Sequence, residues 1–188
     1  MYKKKGFISK FLNKVFSETP ENKKELLYFI NKSIKNKLIT QNTYNTIEKV
    51  INLENKQVKD IMIPRTKMIT LNIHDTLNKC LQIIVKSSYS RFPIISYDKN
   101  HIIGFLIAKN LFKIVYENNK NFSLKEIITK PAIVPDSQNL NRTLEEFYIN
   151  KNYISIVIDE FGIITGLITI KDILKNLFKK NKKKKKIF

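Results

Sequence analysis

Part of this chain is written twice. In LNKCLQIIV (77–85), Leu77, Leu81, Ile84 and Val85 fall at helical spacing; 63 residues on, LNRTLEEFY (140–148) places Leu140, Leu144, Phe147 and Tyr148 in the same positions. Apolar residues so spaced form one face of an amphipathic helix. Downstream, GFLIAKN (104–110) returns as GLITIKD (166–172) after 62 residues, and upstream VKDIM (58–62) returns as LKEII (124–128) after 66. The offset drifts by only a few residues across a unit, as loop insertions cause. A repeat of this length dictates the architecture, because each copy leaves an apolar face that its neighbour must cover.

Each copy reads strand, helix, strand, strand, helix. In the first, the pattern predicts a strand at 68–71, a helix capped by Asp75, a strand at 92–96, a turn at 97–100, a strand at 101–108 and a helix to about 115. The second gives a strand at 133–134, a helix from Asn139, a strand at 154–158, a turn at 159–162, a strand at 163–170 and a helix from Lys171. The two central strands of each copy are almost wholly apolar, so both of their faces are expected to be covered. The fold class is α+β: a tandem β-α-β-β-α repeat preceded by a helical segment. The expected limits are 1–55 for the helical segment, 56–118 and 119–178 for the two repeats, and 179–188 for a disordered lysine-rich tail. LLYFINKSI (26–34) and TIEKVINL (46–53) carry the helical spacing of the N-terminal part, where two or three helices are expected.

With 188 residues, 43% of them hydrophobic, the chain can build one core or two small adjoining ones. Its apolar runs are far shorter than the ~20 residues a membrane-spanning helix needs. MYKKKGFISKFLNKVF has no continuous apolar stretch, so no secretory signal is expected. Cys80 is the single cysteine, which excludes an intrachain disulfide and points to the cytoplasm; it reads as a small core residue. The net charge is +19, and removing the seven lysines at 179–186 still leaves +12, so the excess is spread along the chain. It is lysine, with arginine only at 65, 91 and 142. Asn and Ile are abundant too, as AT-rich coding produces, and we read most of the charge as drift. Weak attraction to nucleic acid or anionic lipid follows from it.

Thr169 and Asp172 stand three residues apart where a strand runs into a helix. Both residue types accept hydrogen bonds from the first N–H groups of a helix, so a cap is one reading. A small ligand held at the strand end is the other. His74 and His101 fall in turns without partners at metal-ligand spacing, no metal site is expected, and no catalytic constellation is visible.

A tandem β-α-β-β-α unit ending in Gly-x-x-Thr-x-x-Asp resembles the CBS domain pair, or Bateman module. DIMIPR (60–65), YSRFP (89–93), VIDEFG (157–162) and GLITIKDIL (166–174) are similar to the CorC/HlyC family of magnesium and cobalt efflux proteins. The N-terminal KKGFISKFLNKVF and ENKKELLYFINKS extend the resemblance over residues 4–177. It implies a non-enzymatic regulatory module that binds ATP or AMP, with any Mg²⁺ arriving on the phosphates, and supports magnesium and cobalt efflux. A homodimer and an inner-membrane ion transport protein are the implied partners, with the chain cytoplasmic or peripheral to that membrane. The resemblance casts Asp172 on the ribose hydroxyls, Thr169 on phosphate or ribose, Arg91 on the phosphates, and Ile63, Pro64 and Ile154 around the adenine. The first repeat has Ile107 and Asn110 where the second has Thr169 and Asp172, so one nucleotide per chain is expected, at the second repeat. The family continues into a small transporter-associated C-terminal domain, for which no counterpart is expected here.

Two rival readings remain. A nucleic-acid- or ribosome-associated protein would bind with steep salt dependence and indifference to Asp172. An enzyme acting on nucleotides would need a base or nucleophile near the cleft, and the sequence offers none.

Overall fold

Each repeat opens with a short strand that completes the other repeat's sheet. The computed structural model describes residues 19–116 and 123–178. Expectations for residues 4–18 and for the tail at 179–188 fall outside the described residues, as does the join at 117–122. The chain divides into two compact units, Met1–Asn52 and Leu53–Phe188. In the first unit, α1 (Lys23–Lys35) starts on an Asn22 side chain that accepts from the Glu25 N–H at 3.0 Å. Helix α2 (Gln41–Leu53) follows. The helical spacing at 26–34 and 46–53 is borne out.

The second unit holds two four-stranded mixed sheets. In the first repeat, β1 (Ile63–Pro64), β2 (Leu71–Asn72), α3 (Leu77–Ser87), β3 (Arg91–Ile95), β4 (Ile102–Ile107) and α4 (Ala108–Tyr116) succeed one another. The second gives β5 (Ile128–Thr129), β6 (Ile133–Pro135), α5 (Leu140–Ile149), β7 (Ile154–Ile158), β8 (Ile164–Thr169) and α6 (Ile170–Phe178). One sheet runs β2-β3-β4-β5 and the other β1-β8-β7-β6, so β1 and β5 have changed places. In β1, Ile63 pairs with Leu167 and Pro64 with Gly166; in β5, Ile128 pairs with Leu106 and Thr129 with Phe105. Pro64 sits on an edge strand, where its missing N–H costs no ladder bond.

Side chains follow the same exchange. Val58 precedes β1 but is buried with Val134, Phe147 and Ile168 of the second repeat, while Leu124 precedes β5 and is buried with Phe92, Leu106 and Leu111 of the first. Backbone bonds from Val58 N–H to Gln138 O at 2.9 Å and from Lys59 N–H to Asp136 O at 2.9 Å secure the crossing. A third cluster, with Met68, Phe105, Ile154, Ile156 and Leu167, joins the two sheets. The central strands β3, β4, β7 and β8 are largely buried, as their continuous apolar sequences require.

Three details differ from the sequence reading. Val85 is 71% and Tyr148 80% exposed, and the buried helix stripes run instead through Cys80 and Ile84 and through Leu140, Thr143 and Phe147. At 3.6 residues per turn, a position eight beyond Leu77 lies about 80° round the helix, whereas seven beyond nearly superposes on it. Asp75 does not cap α3. Thr76 does, accepting from the Lys79 N–H, while the Asp75 carboxylate accepts from the Asn72 N–H at 2.8 Å and pairs with Lys79. Met68 is buried but precedes the paired strand, which is only Leu71–Asn72.

The exchange depends on two glycines. A Cβ on Gly166 would lie 2.3 Å from the Ile63 carbonyl oxygen, and one on Gly104 would lie 2.7 Å from that of Thr129. Neither oxygen can yield without parting the crossed strand from its sheet. Gly162 is different: it turns the β7–β8 hairpin at φ +79°, with open space where a Cβ would stand. We expect Gly166→Ala to cost about 3 kcal/mol in urea unfolding through overpacking. Gly162→Ala should cost about 1 kcal/mol through backbone strain alone.

Cys80 is fully buried in the first repeat's core. Burial, with the Asp75 carboxylate adding to it, pushes its thiol up from 9.0 to about 11. The folded chain therefore keeps this proton at pH values where the unfolded chain loses it. The Cys80 contribution to stability is full below pH 9.0 and falls as pH rises towards about 11. Unfolding midpoints followed from pH 8 to 10.5 should decline more steeply in the natural protein than in Cys80→Ala, and iodoacetamide should label Cys80 only after unfolding.

Candidate functional site

The junction of β8 and α6 is where a hydroxyl, a carboxylate and a helix N-terminus meet. The Asp172 N–H donates to Thr169 Oγ1 at 3.2 Å. In return Asp172 Oδ2 accepts from the Thr169 N–H at 3.1 Å and from Thr169 Oγ1 at 2.5 Å. This is a capping box, with each side chain satisfying the other residue's backbone donor. The helix-start reading of Thr169 and Asp172 is thus met. It does not exhaust the carboxylate: both bonds that Asp172 accepts fall on Oδ2, and of the six predicted site residues Asp172 alone lines the neighbouring cleft.

That cleft has a volume of about 600 Å³ and is walled by Asp60, Ile61, Asp172, Lys175, Asn176 and Phe178. Its size falls within the roughly 300–1,000 Å³ of small-molecule sites. Lys175 and Asn176 follow Asp172 by three and four residues on α6, which puts all three on one helix face. Asp60 and Ile61 come from the segment entering β1, so the strand exchange carries first-repeat residues to the second repeat's helix. Lys56 Nζ donates to Asn176 Oδ1 at 2.7 Å. Because an ammonium only donates, this bond fixes the amide oxygen towards Lys56 and leaves its NH₂ to donate elsewhere.

Arg91 opens β3, half-buried and paired with Ile107. Its guanidinium lies over the ring of Tyr153, 5.7 Å from the centroid. Tyr153 precedes β7 in the other repeat, and its carbonyl accepts from the Ile170 N–H at 3.1 Å, directly beside Thr169. The structure therefore brings Arg91 of the first repeat to the end of the second where Thr169 and Asp172 stand. Ile63 is half-buried and Pro64 exposed, both on β1, whereas Ile154 is 4% exposed, pairs with Thr169 and packs in the cluster between the sheets.

The corresponding place in the first repeat has the same backbone without the chemistry. There Ser90 O accepts from the Ala108 N–H at 3.0 Å, as Tyr153 O does from Ile170. Ile107 and Asn110 replace Thr169 and Asp172, and among the described residues no side-chain bond closes the start of α4. His74 and His101 are exposed; His101 meets Asp98 at 2.8 Å and the ring of Tyr97 edge-on. No group of three metal-ligating side chains occurs among the described residues. None of their helices is long and apolar enough to cross a membrane.

Sequence reasoning did not single out Tyr153, Asp60, Ile61, Lys175, Asn176 or Phe178. Helical spacing from Asp172 signals Lys175 and Asn176, and Asp60 and Ile61 lie in the DIMIPR motif. Nothing local marks Tyr153, whose role arises only where the repeats meet.

Two exchanged β-α-β-β-α repeats with a Thr/Asp helix start define a CBS domain pair, and the CBS domain pattern matches residues 58–117 and 124–179. The chain belongs to the CBS domain family. It is similar to the "Magnesium and cobalt efflux protein CorC" of Buchnera aphidicola subsp. Acyrthosiphon pisum, 46% identical over 91% of this chain and 59% of that protein. The chain thus spans about three-fifths of the length of the curated relatives it matches. Among solved structures it resembles the CBS domain of the bacterial CNNM/CorC family Mg²⁺ transporter in complex with ATP. The TM-score is 0.66 at 30% identity, covering 71% of this chain and 94% of that one. It also resembles a CBS-domain pair with bound AMP from Klebsiella pneumoniae, with a TM-score of 0.57 at 27% identity, covering 64% and 97%.

Proposed function

We propose that this CBS pair binds one adenine nucleotide per chain, ATP or AMP, at the β8–α6 junction, and thereby regulates magnesium and cobalt efflux. The observation that carries the reading is Asp172. Its Oδ2 holds the helix start, and the residue lines a cleft of about 600 Å³. A carboxylate so placed accepts from ribose hydroxyls, and a helix N-terminus with a threonine hydroxyl favours phosphate. Arg91 supplies a planar cation for the phosphates, and Mg²⁺ arrives on them, since it prefers phosphate oxygens and water. Adenine packs beside Ile63 and Pro64 on the crossed strand, over the edge of the layer that contains Ile154. Relatives solved with ATP and with AMP support this reading of the ligand.

Regulation requires a partner that senses the state of the pair. In this reading the chain works in the cytoplasm as a homodimer that acts on an inner-membrane ion transport protein, and the similarity to CorC supports the link to magnesium and cobalt efflux. The nucleotide shifts that equilibrium only as far as its affinity differs between the two states.

Calorimetric titration with ATP tests the site. Asp172→Asn retains an acceptor for the helix cap and loses the charge, so folding should persist. Loss of charge-assisted bonds worth ~1.5–3 kcal/mol should weaken binding roughly 10- to 150-fold. An unchanged ATP affinity in Asp172→Asn and Asp172→Ala would exclude Asp172 from the site. Affinity that instead collapses with salt and follows RNA rather than ATP would favour the basic-protein reading.

A further inference from the structure

Tyr153 of the second repeat offers its ring to a cation of the first. We infer that Tyr153 is a positioning residue that holds the Arg91 guanidinium beside the β8–α6 junction of Thr169 and Asp172, so that phosphate recognition depends on Tyr153 while nucleoside recognition does not. The inference rests on the nucleotide reading above and adds to it how the phosphate end is built.

Four observations support it. The guanidinium lies over the Tyr153 ring at 5.7 Å, within the range at which a cation is held by an aromatic face. Arginine side chains are long and lose rotamer freedom when they bind, so an aromatic platform that already orders the fork lowers that cost. The backbone that carries the platform is anchored beside the site, because the Tyr153 carbonyl accepts from the Ile170 N–H in the turn that presents Thr169 and Asp172. The contact also occurs once only. Arg91 and Ile154 are counterparts, paired with Ile107 and Thr169, and Ser90 and Tyr153 precede them. The reverse pair, Ile154 and Ser90, has neither cation nor ring. The cation therefore belongs to the first repeat by sequence and to the second repeat's site by position, the repeat that keeps the carboxylate and the hydroxyl.

Titrations with ATP, AMP and adenosine on the natural chain, Tyr153→Phe, Tyr153→Ala, Arg91→Ala and the double alanine variant decide the matter. Tyr153→Ala should weaken ATP about five- to tenfold and leave adenosine within about twofold, since the ring is worth one cation–π contact. Tyr153→Phe keeps the aromatic face and should retain ATP binding. The double variant should lose no more than Arg91→Ala alone, because the ring acts through the cation. Unchanged ATP binding in Tyr153→Ala, or equal losses for ATP and adenosine, overturns the inference while leaving the nucleotide reading intact. A natural chain that binds none of the three ligands overturns both.

Discussion

Two backbone carbonyls, of Ile63 and Thr129, lie so close to Gly166 and Gly104 that no side chain fits between them. Everything else in the repeat region depends on this close approach. It lets β1 and β5 cross to the opposite sheet, bringing Val58 and Leu124 into cores built mainly by the other repeat. Neither repeat can close its sheet or fill its core alone. The pair therefore behaves as one folding unit rather than as two loosely joined domains.

Within that frame the halves share geometry down to detail. Both central hairpins shift register at the same place, at Ile94/Ile95 and at Val157/Ile158. Both helix-to-strand turns use a left-handed residue, Ser88 at φ 58° and Lys151 at φ 49°, although glycine would adopt it at lower cost. The chemistry is not shared. Hydroxyl and carboxylate stand only in the second repeat, where Asp172 also stabilises its own helix start. The arginine stands only in the first, stacked on a tyrosine of the second. A symmetric scaffold thus carries an asymmetric site, with its charged groups gathered at one end of the crevice.

Much of this was legible from the residues. Repeat spacing, the buried central strands, the buried Cys80 and the helix start at Asn139 all follow from patterns a few residues long, whose outcome is set by local sterics and by which face must leave water. The readings that needed correction share one cause. Val85 and Tyr148 were placed on the buried face by counting apolar residues, while the burial stripe is decided by helical phase against a particular sheet. Asp75 and Thr76 both accept hydrogen bonds, and the choice between them as cap turned on the backbone of Asn72. The crossed strands are two residues long, too short for any periodicity to announce, and the partners of β1 lie about 100 residues away (Ile63 with Leu167).

The sequence by itself determined that two like units must cover each other, and it named the hydroxyl, the carboxylate and the arginine from which a nucleotide site is drawn. Periodicity and residue type are properties of short stretches, so they survive without coordinates. Only the tertiary structure showed which residues of the first repeat stand beside the hydroxyl and the carboxylate. The cleft of Asp172 is walled by Asp60 and Ile61 from the other repeat, and Arg91 finds its platform in Tyr153. Such juxtapositions depend on long-range packing, where residues far apart in sequence meet because two sheets exchange an edge.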